Sequence, residues 1–217
     1  MTAKASGGLA TTTAEDASQN RNPSTTLGGT TVRVRDSAGV ERLARIDYVS
    51  PTQVNYVIPT GTDSGAATVE IISGDGTVST ASLQIRAVAP GIFTLNEVGL
   101  AAAVAVRVRN GVQTADPVFQ DTPAGRLPLP IDLGPETDQV FLLLYGTGLR
   151  SRSALSNANL KIDGIDAAPS YAGLQSEYPG LDQINVPLLR SLAGRGLVNV
   201  QFTVDGAAAN ITRVQFK

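Results

Sequence analysis

Two short words carry the residues whose types and spacing first suggest chemistry: TQVNYVIP, Thr52 to Pro59, and DQINVPL, Asp182 to Leu188. In the first, Val54, Tyr56 and Ile58 alternate with Gln53 and Asn55, the period of a strand with both amides on one face. The second repeats the pattern with Gln183 and Asn185, 130 positions later. Carboxamides both donate and accept, so such a face could read a ligand, or it could satisfy backbone groups of a neighbouring loop. The spacing favours the second role. Gln53 precedes Asp75-Gly76 by 22 residues, and Gln183 precedes Asp205-Gly206 by the same 22. A ligand site need not recur in each copy of a fold, whereas a bond that fixes the fold does. Gln53, Asn55, Gln183 and Asn185 are therefore expected at equivalent strand positions, as a structural repeat motif bonded to nearby backbone.

Other chemistry is narrowed by what is missing. The chain has no histidine and no cysteine, which removes the commonest general base, the commonest catalytic zinc ligand and all thiol chemistry. Serines are plentiful, but without histidine a serine nucleophile would need a lysine base, and the lysines are Lys4, Lys161 and Lys217. Glu136 with Asp138, or Glu177 with Asp182, would suit a glycosidase only if set across a cleft, and nothing in the sequence does that. Asp75, Asp163, Asp166 and Asp205 could ligate calcium, yet three of them precede Gly as turn residues and no Asp-x-Asp-x-Asp spacing exists. YGTGLR, Tyr145 to Arg150, lacks the phosphate-loop pattern, so its glycines read as closing a strand. No catalytic residue, cofactor or metal site is expected, and the chain does not read as an enzyme. One candidate interaction segment remains: AGLQSEYPGLD, Ala172 to Asp182, where the two halves differ by insertion. Loops on a rigid scaffold concentrate function, and here Gln175, Glu177, Tyr178 and Asp182 form a candidate partner-binding loop. Tyr178 offers it a flat amphipathic ring with little rotamer entropy to lose.

The elements that must position these residues are strands. With 22 Gly, 12 Pro, no Trp and 42% apolar residues in 217, the composition suits short strands joined by tight turns. Period-2 alternation begins at Thr30, and ATVEII and STASLQIRAV flank Asp75-Gly76 as a hairpin. Asn110-Gly111, Asp163-Gly164 and Asp205-Gly206 are further turn points, each expected as a type I′ turn with positive φ at both residues. QVFLLLYGTGL is a continuous apolar run expected as a strand buried on both faces, and PLLRSLAGRG as a short helical turn. The fold class is all-β, in two tandem immunoglobulin-like β-sandwich domains. The first spans 1–88 and includes an extended segment 1–29, a connector with a β-hairpin spans 89–132, and the second domain spans 133–217. A net charge of −2 gives no reason to expect nucleic acid, and no apolar run is long enough to insert in a membrane.

STTLGGTTVRV, YVSPTQVNYVIP, APGIF, DLGPETDQVFLLLYGTGLRSRS and YAGLQSEYPGLDQINVPLLRSLAGRG occur in that order, and together they resemble the C-terminal region of a set of uncharacterised exported bacterial proteins abundant in Solibacter-type acidobacteria. VFLLLYGTGL also looks like the first strand of IPT/TIG domains, which are immunoglobulin-like modules. The resemblance implies an extracellular or cell-surface context and a C-terminal module appended to varied partners. It brings no catalytic residues. Members of that set carry a strand and a Gly-x-Gly-Leu turn before the first copy, where this sequence has only GGLA, Gly7 to Ala10, which reads as truncation. The expected role is to space, present or anchor neighbouring domains, with other protein domains or copies of itself as partners. Glycan binding is the alternative.

Overall fold

A computed structural model describes residues 1–16 and 24–217. Residues 17–23 of the segment 1–29, expected to be extended, lie outside the described residues. The described chain is all-β: its sheets are antiparallel and its only helical elements are two single 3₁₀ turns, Leu155–Asn157 and Arg190–Leu192. It divides into two compact units, Met1–Arg86 with Glu177–Pro179, and Ala87–Ser176 with Gly180–Lys217.

The first unit holds β1 (Thr2–Lys4), β2 (Ala14–Glu15), β3 (Thr26–Leu27), β4 (Thr30–Arg35), β5 (Glu41–Leu43), β6 (Arg45–Ser50), β7 (Gln53–Val57), β8 (Gly65–Ile72) and β9 (Val78–Ile85). One sheet runs β1-β7-β6-β2, the other β3-β4-β8-β9 with β5 also on β4. Alternation turns Val32 and Val34 of β4, Val54 and Tyr56 of β7, and Val69 and Ile71 of β8 into one core, joined by Leu9 and, through an irregularity in register between Ile46 and Tyr48, by both Ile46 and Val49 of β6. The polar segment 1–29 is thus partly strand: β1 pairs with β7, β2 with β6 and β3 with β4.

The second unit holds β10 (Gly91–Ile92), β11 (Ala103–Arg109), β12 (Val112–Pro117), β13 (Phe119–Thr122), β14 (Gly125–Pro128), β15 (Gln139–Thr147), β16 (Ala158–Ile162), β17 (Ile165–Asp166), β18 (Tyr171–Leu174), β19 (Asp182–Pro187), β20 (Gly196–Val204), β21 (Ala207–Ala208) and β22 (Thr212–Phe216). One sheet runs β12-β11-β15-β19-β18 with β10 on β15, the other β17-β16-β20-β21 with β22 on β20; β13 and β14 make a separate hairpin. Leu142, Leu144, Leu160, Ile162, Ile184, Val186, Val200 and Phe202 belong to a single buried cluster. β15 departs from the sequence reading. Val140, Leu142, Leu144 and Gly146 are buried, whereas Phe141, Leu143, Tyr145 and Thr147 are only half-buried, so one face of the apolar run is fully covered and the other is not.

Turn chemistry follows the sequence at three points and differs at the fourth. Asn110, Asp163 and Asp205 have φ of 52°, 53° and 47° before their glycines, as a type I′ turn requires. Asp75 is not in that conformation. Gly76 alone takes φ of 86°, and Ser73 accepts from the Gly76 N–H at 2.9 Å while donating its own N–H to Thr77 O at 2.9 Å. This is a three-residue loop with a bulge, favoured because the Asp75 carboxylate accepts both the Ser73 hydroxyl and, at 2.9 Å, the Thr77 N–H.

Candidate functional site

The four amides sit on the strands the sequence assigns them, Gln53 and Asn55 on β7 and Gln183 and Asn185 on β19. Each strand is flanked on both sides, β7 by β6 and β1, β19 by β15 and β18. Asn55 lies opposite Tyr48 and Asn185 opposite Tyr171. Their hydrogen bonding differs from the expectation. Gln53 Nε2 donates to Asn55 Oδ1 at 3.0 Å, and Gln183 Nε2 donates to Asn185 Oδ1 at 2.6 Å, so in each pair the two amides bond to each other rather than to backbone. The reason is the strand period: residues two apart project side by side from one face, close enough for a Gln to reach an Asn. Each pair ties down one donor and one acceptor on a half-buried face.

The candidate loop is resolved residue by residue. Gln175 N–H donates to Leu181 O at 3.0 Å and the Thr147 hydroxyl to Gly180 O at 3.1 Å, which pins both ends of the excursion. Gln175 is half-buried, Glu177 is exposed and Tyr178 is 42% exposed. Asp182 must be removed from the contact set. Its side chain has 0% exposure; it accepts the Leu149 N–H at 2.9 Å and Arg150 Nε at 2.8 Å. The cause is its place at the first residue of β19, where alternation points the carboxylate inward against the turn that closes β15. Leu149 and Arg150, the last residues of YGTGLR, are thus half of a structural joint whose other half is Asp182, a pairing that only tertiary structure reveals.

Of the remaining acids named by the sequence, Asp138, Asp163, Asp166 and Asp205 are likewise engaged with other side chains or the backbone, whereas Glu136 is exposed. Asp138 has a side chain with 0% exposure and accepts Arg107 Nη1 at 2.7 Å, Arg109 Nε at 2.8 Å and Arg109 Nη2 at 2.7 Å. The Arg109 guanidinium is the main reason its pKa is lowered from 3.8 to about 2, burial opposing it. Beside it Arg190 gathers four backbone carbonyls, Leu133 O at 2.6 Å, Gly134 O at 2.8 Å, Pro135 O at 2.5 Å and Asp138 O. In the first unit Asp36 accepts Arg42 Nη1 at 2.5 Å and the N–H groups of Ala38, Val40 and Asp63. Asp205 accepts the Ser153 hydroxyl at 2.5 Å and the Ser153 N–H at 2.8 Å, and the Ser153 hydroxyl chiefly lowers its pKa. Asp163 pairs with Arg195 at 2.5 Å and Asp166 with Lys161 at 2.8 Å. Among the described residues no three acidic groups gather as a metal site would require.

These shifts fix a pH dependence. Asp138 and Asp75 are both lowered from 3.8 to about 2, Asp75 mainly by the Ser73 hydroxyl and then by the Thr77 N–H. A depressed carboxylate stabilises the fold above its unfolded value, and that contribution is lost as pH falls through the folded value. Denaturant midpoints are expected to hold steady down to pH of about 4 and to fall between about 4 and 2, and Asp138→Asn is expected to flatten that fall. An unchanged slope in the variant would remove Asp138 as a source.

A cluster that sequence reading missed surrounds Gly173. Tyr171 donates its hydroxyl to Leu174 O at 2.6 Å, folding its ring over Gly173, and Arg152 Nη1 reaches the same glycine. Gly173 lies opposite Gln183, which in turn lies opposite Tyr145. The only sequence signal was the glycine inside a strand pattern, which marks close approach of other groups. In comparisons with known proteins, no protein-family model matches the chain and no curated protein matches it significantly.

Proposed function

We propose that the chain is a non-enzymatic structural and interaction module of an extracellular or cell-surface protein. Its two units act as tandem immunoglobulin-like sandwiches that space, present or anchor neighbouring domains. One observation carries the reading: the acids with no exposed side-chain surface, Asp36, Asp138 and Asp182, each bind arginine and lie within hydrogen bonds that hold loops to strands. Charged groups used in this way rigidify a scaffold and are themselves committed to structure rather than to proton transfer. The extracellular setting rests on the sequence resemblance. The second reading, glycan binding, is favoured by the Tyr171 ring, 37% exposed beside Arg152 and across from Asn185. A glycan array run with the purified chain is expected to give no saturable signal. Saturable binding abolished by Tyr171→Ala would replace the spacer reading with carbohydrate recognition.

A further inference from the structure

Every edge strand presents unpaired N–H and C=O groups that another strand can use, and proteins blunt such edges by shortness, charge, proline or cover. The edges of this molecule are blunted in those ways, with one exception among the described residues. β1, β2, β3, β5, β17 and β21 are two or three residues long, and β18 is four. β12 contains Asp116 and Pro117, and the β13–β14 hairpin contains Asp121, Arg126 and Pro128. β22 is covered along its outer side: Ala101 N–H donates to Arg213 O at 3.0 Å, Arg213 N–H to Gly99 O at 2.7 Å, Ile131 N–H to Gln215 O at 2.8 Å and Lys217 N–H to Ile131 O at 3.0 Å.

β9 has none of these protections. Its eight residues, VSTASLQI, include no charge and no proline, and its register with β8 is unbroken from Val78 to Ile85. The Ser73–Thr77 bond fixes which groups are free. Ladder bonds fall on Ser79, Ala81, Leu83 and Ile85, so the N–H and C=O groups of Val78, Thr80, Ser82 and Gln84 point away from β8. All four side chains are exposed, and no other described strand pairs with β9.

We propose that β9 is the docking edge for a second copy of this chain, the two β9 strands pairing antiparallel about a two-fold axis at Ala81. The proposal rests on the interaction-module reading and names its partner. In this register Val78 faces Gln84 and Thr80 faces Ser82, so all the free groups exchange bonds between copies. Ala81 meets its own copy at a close, non-hydrogen-bonded position, where a small side chain fits. The charges flanking the strand choose the direction. An antiparallel pair brings the Asp75 turn of one copy beside the exposed Arg86 of the other, whereas a parallel pair would set Asp75 against Asp75 and Arg86 against Arg86. The pairing also covers the open flanks of Leu83 and Ile85, which the unit leaves half-buried.

Sedimentation equilibrium is expected to show a monomer–dimer equilibrium rising over the micromolar to millimolar range. Ala81→Lys, which sets two like charges face to face, is expected to weaken it at least about tenfold while circular dichroism stays native. The natural chain lacks cysteine, so Ala81→Cys introduces a single thiol. At about 4.5 Å between Cα atoms the two thiols would join under air oxidation, whereas Val78→Cys would not. Rapid covalent dimers from Ala81→Cys alone would support the register even if the lysine variant fails to fold. A monomer up to about 1 mM, a dimer indifferent to Ala81→Lys, or equal crosslinking at both positions would overturn the proposal. A monomeric chain silent on glycans would leave the spacer reading standing, which keeps the two failures distinct.

Discussion

Gly148→Ala is expected to lower the thermal midpoint by about 10 °C, corresponding to a loss of about 3 kcal/mol. Two effects combine at this residue. Gly148 has φ of 79°, a conformation that costs an L side chain about 1–2 kcal/mol, and a Cβ there would land on the carbonyl oxygen of Ala89. The carbonyl cannot yield easily, because Ala89 N–H is itself bonded to Gly148 O at 2.8 Å. Two backbones therefore touch where only hydrogen fits. Gly206→Ala makes the control: it has φ of 78° but open space around it, so it reports the conformational cost alone. Differential scanning calorimetry of the two variants separates strain from collision, and equal losses would show that the collision relaxes.

Asp182→Ala is expected to cost about 3 kcal/mol, read as a drop in the denaturant midpoint at constant slope. The substitution strips the Leu149 N–H of its acceptor and Arg150 of its partner while leaving a void beside fully buried Leu149. Arg150 can turn to solvent, since its side chain is 37% exposed, but the buried N–H cannot. Arg150→Ala is accordingly expected to cost clearly less than Asp182→Ala. Equal losses would shift the weight from the backbone bond to the ion pair.

Strand content and most turn positions were legible because they are local. Alternation around Val32, Val54 and Val69 is a property of consecutive residues, and Asn110-Gly111 or Asp205-Gly206 fixes backbone conformation within two positions. Even the shared strand placement of Gln53 and Gln183 could be read from an equal spacing to an Asp-Gly pair. What stayed hidden depends on partners distant in sequence. Asp182 looked like a loop residue because it ends YPGLD, yet its acceptor role is set by Leu149 and Arg150, more than 30 positions earlier. The amide pairs were expected to seek backbone, and only the side-chain geometry shows that the nearer group is the other amide. Asp75 illustrates a finer limit. Its Asp-Gly word is the same as at Asp205, but at Asp75 the carboxylate accepts from groups within its own turn, the Ser73 hydroxyl and the Thr77 N–H, whereas at Asp205 it accepts from the distant Ser153.

The cover over β22 has a consequence for how the second unit comes together. Asn210 both accepts from the Ile92 N–H at 2.9 Å and donates to Ile92 O at 3.0 Å, a clasp between residues 118 positions apart, and Leu100 bridges Arg213 close by. Bringing such distant segments together costs chain entropy that no local contact repays along the way. β9 is instead joined to β8 by a turn of three residues, so its pairing needs little loop closure and is expected to form early. The segments that shield β22 must close loops of more than 80 residues, and loop-closure entropy leads us to expect that they dock after the local hairpins. Until they do, the second unit also exposes an unpaired edge, and during that interval its safety against mispairing rests on the speed of closure.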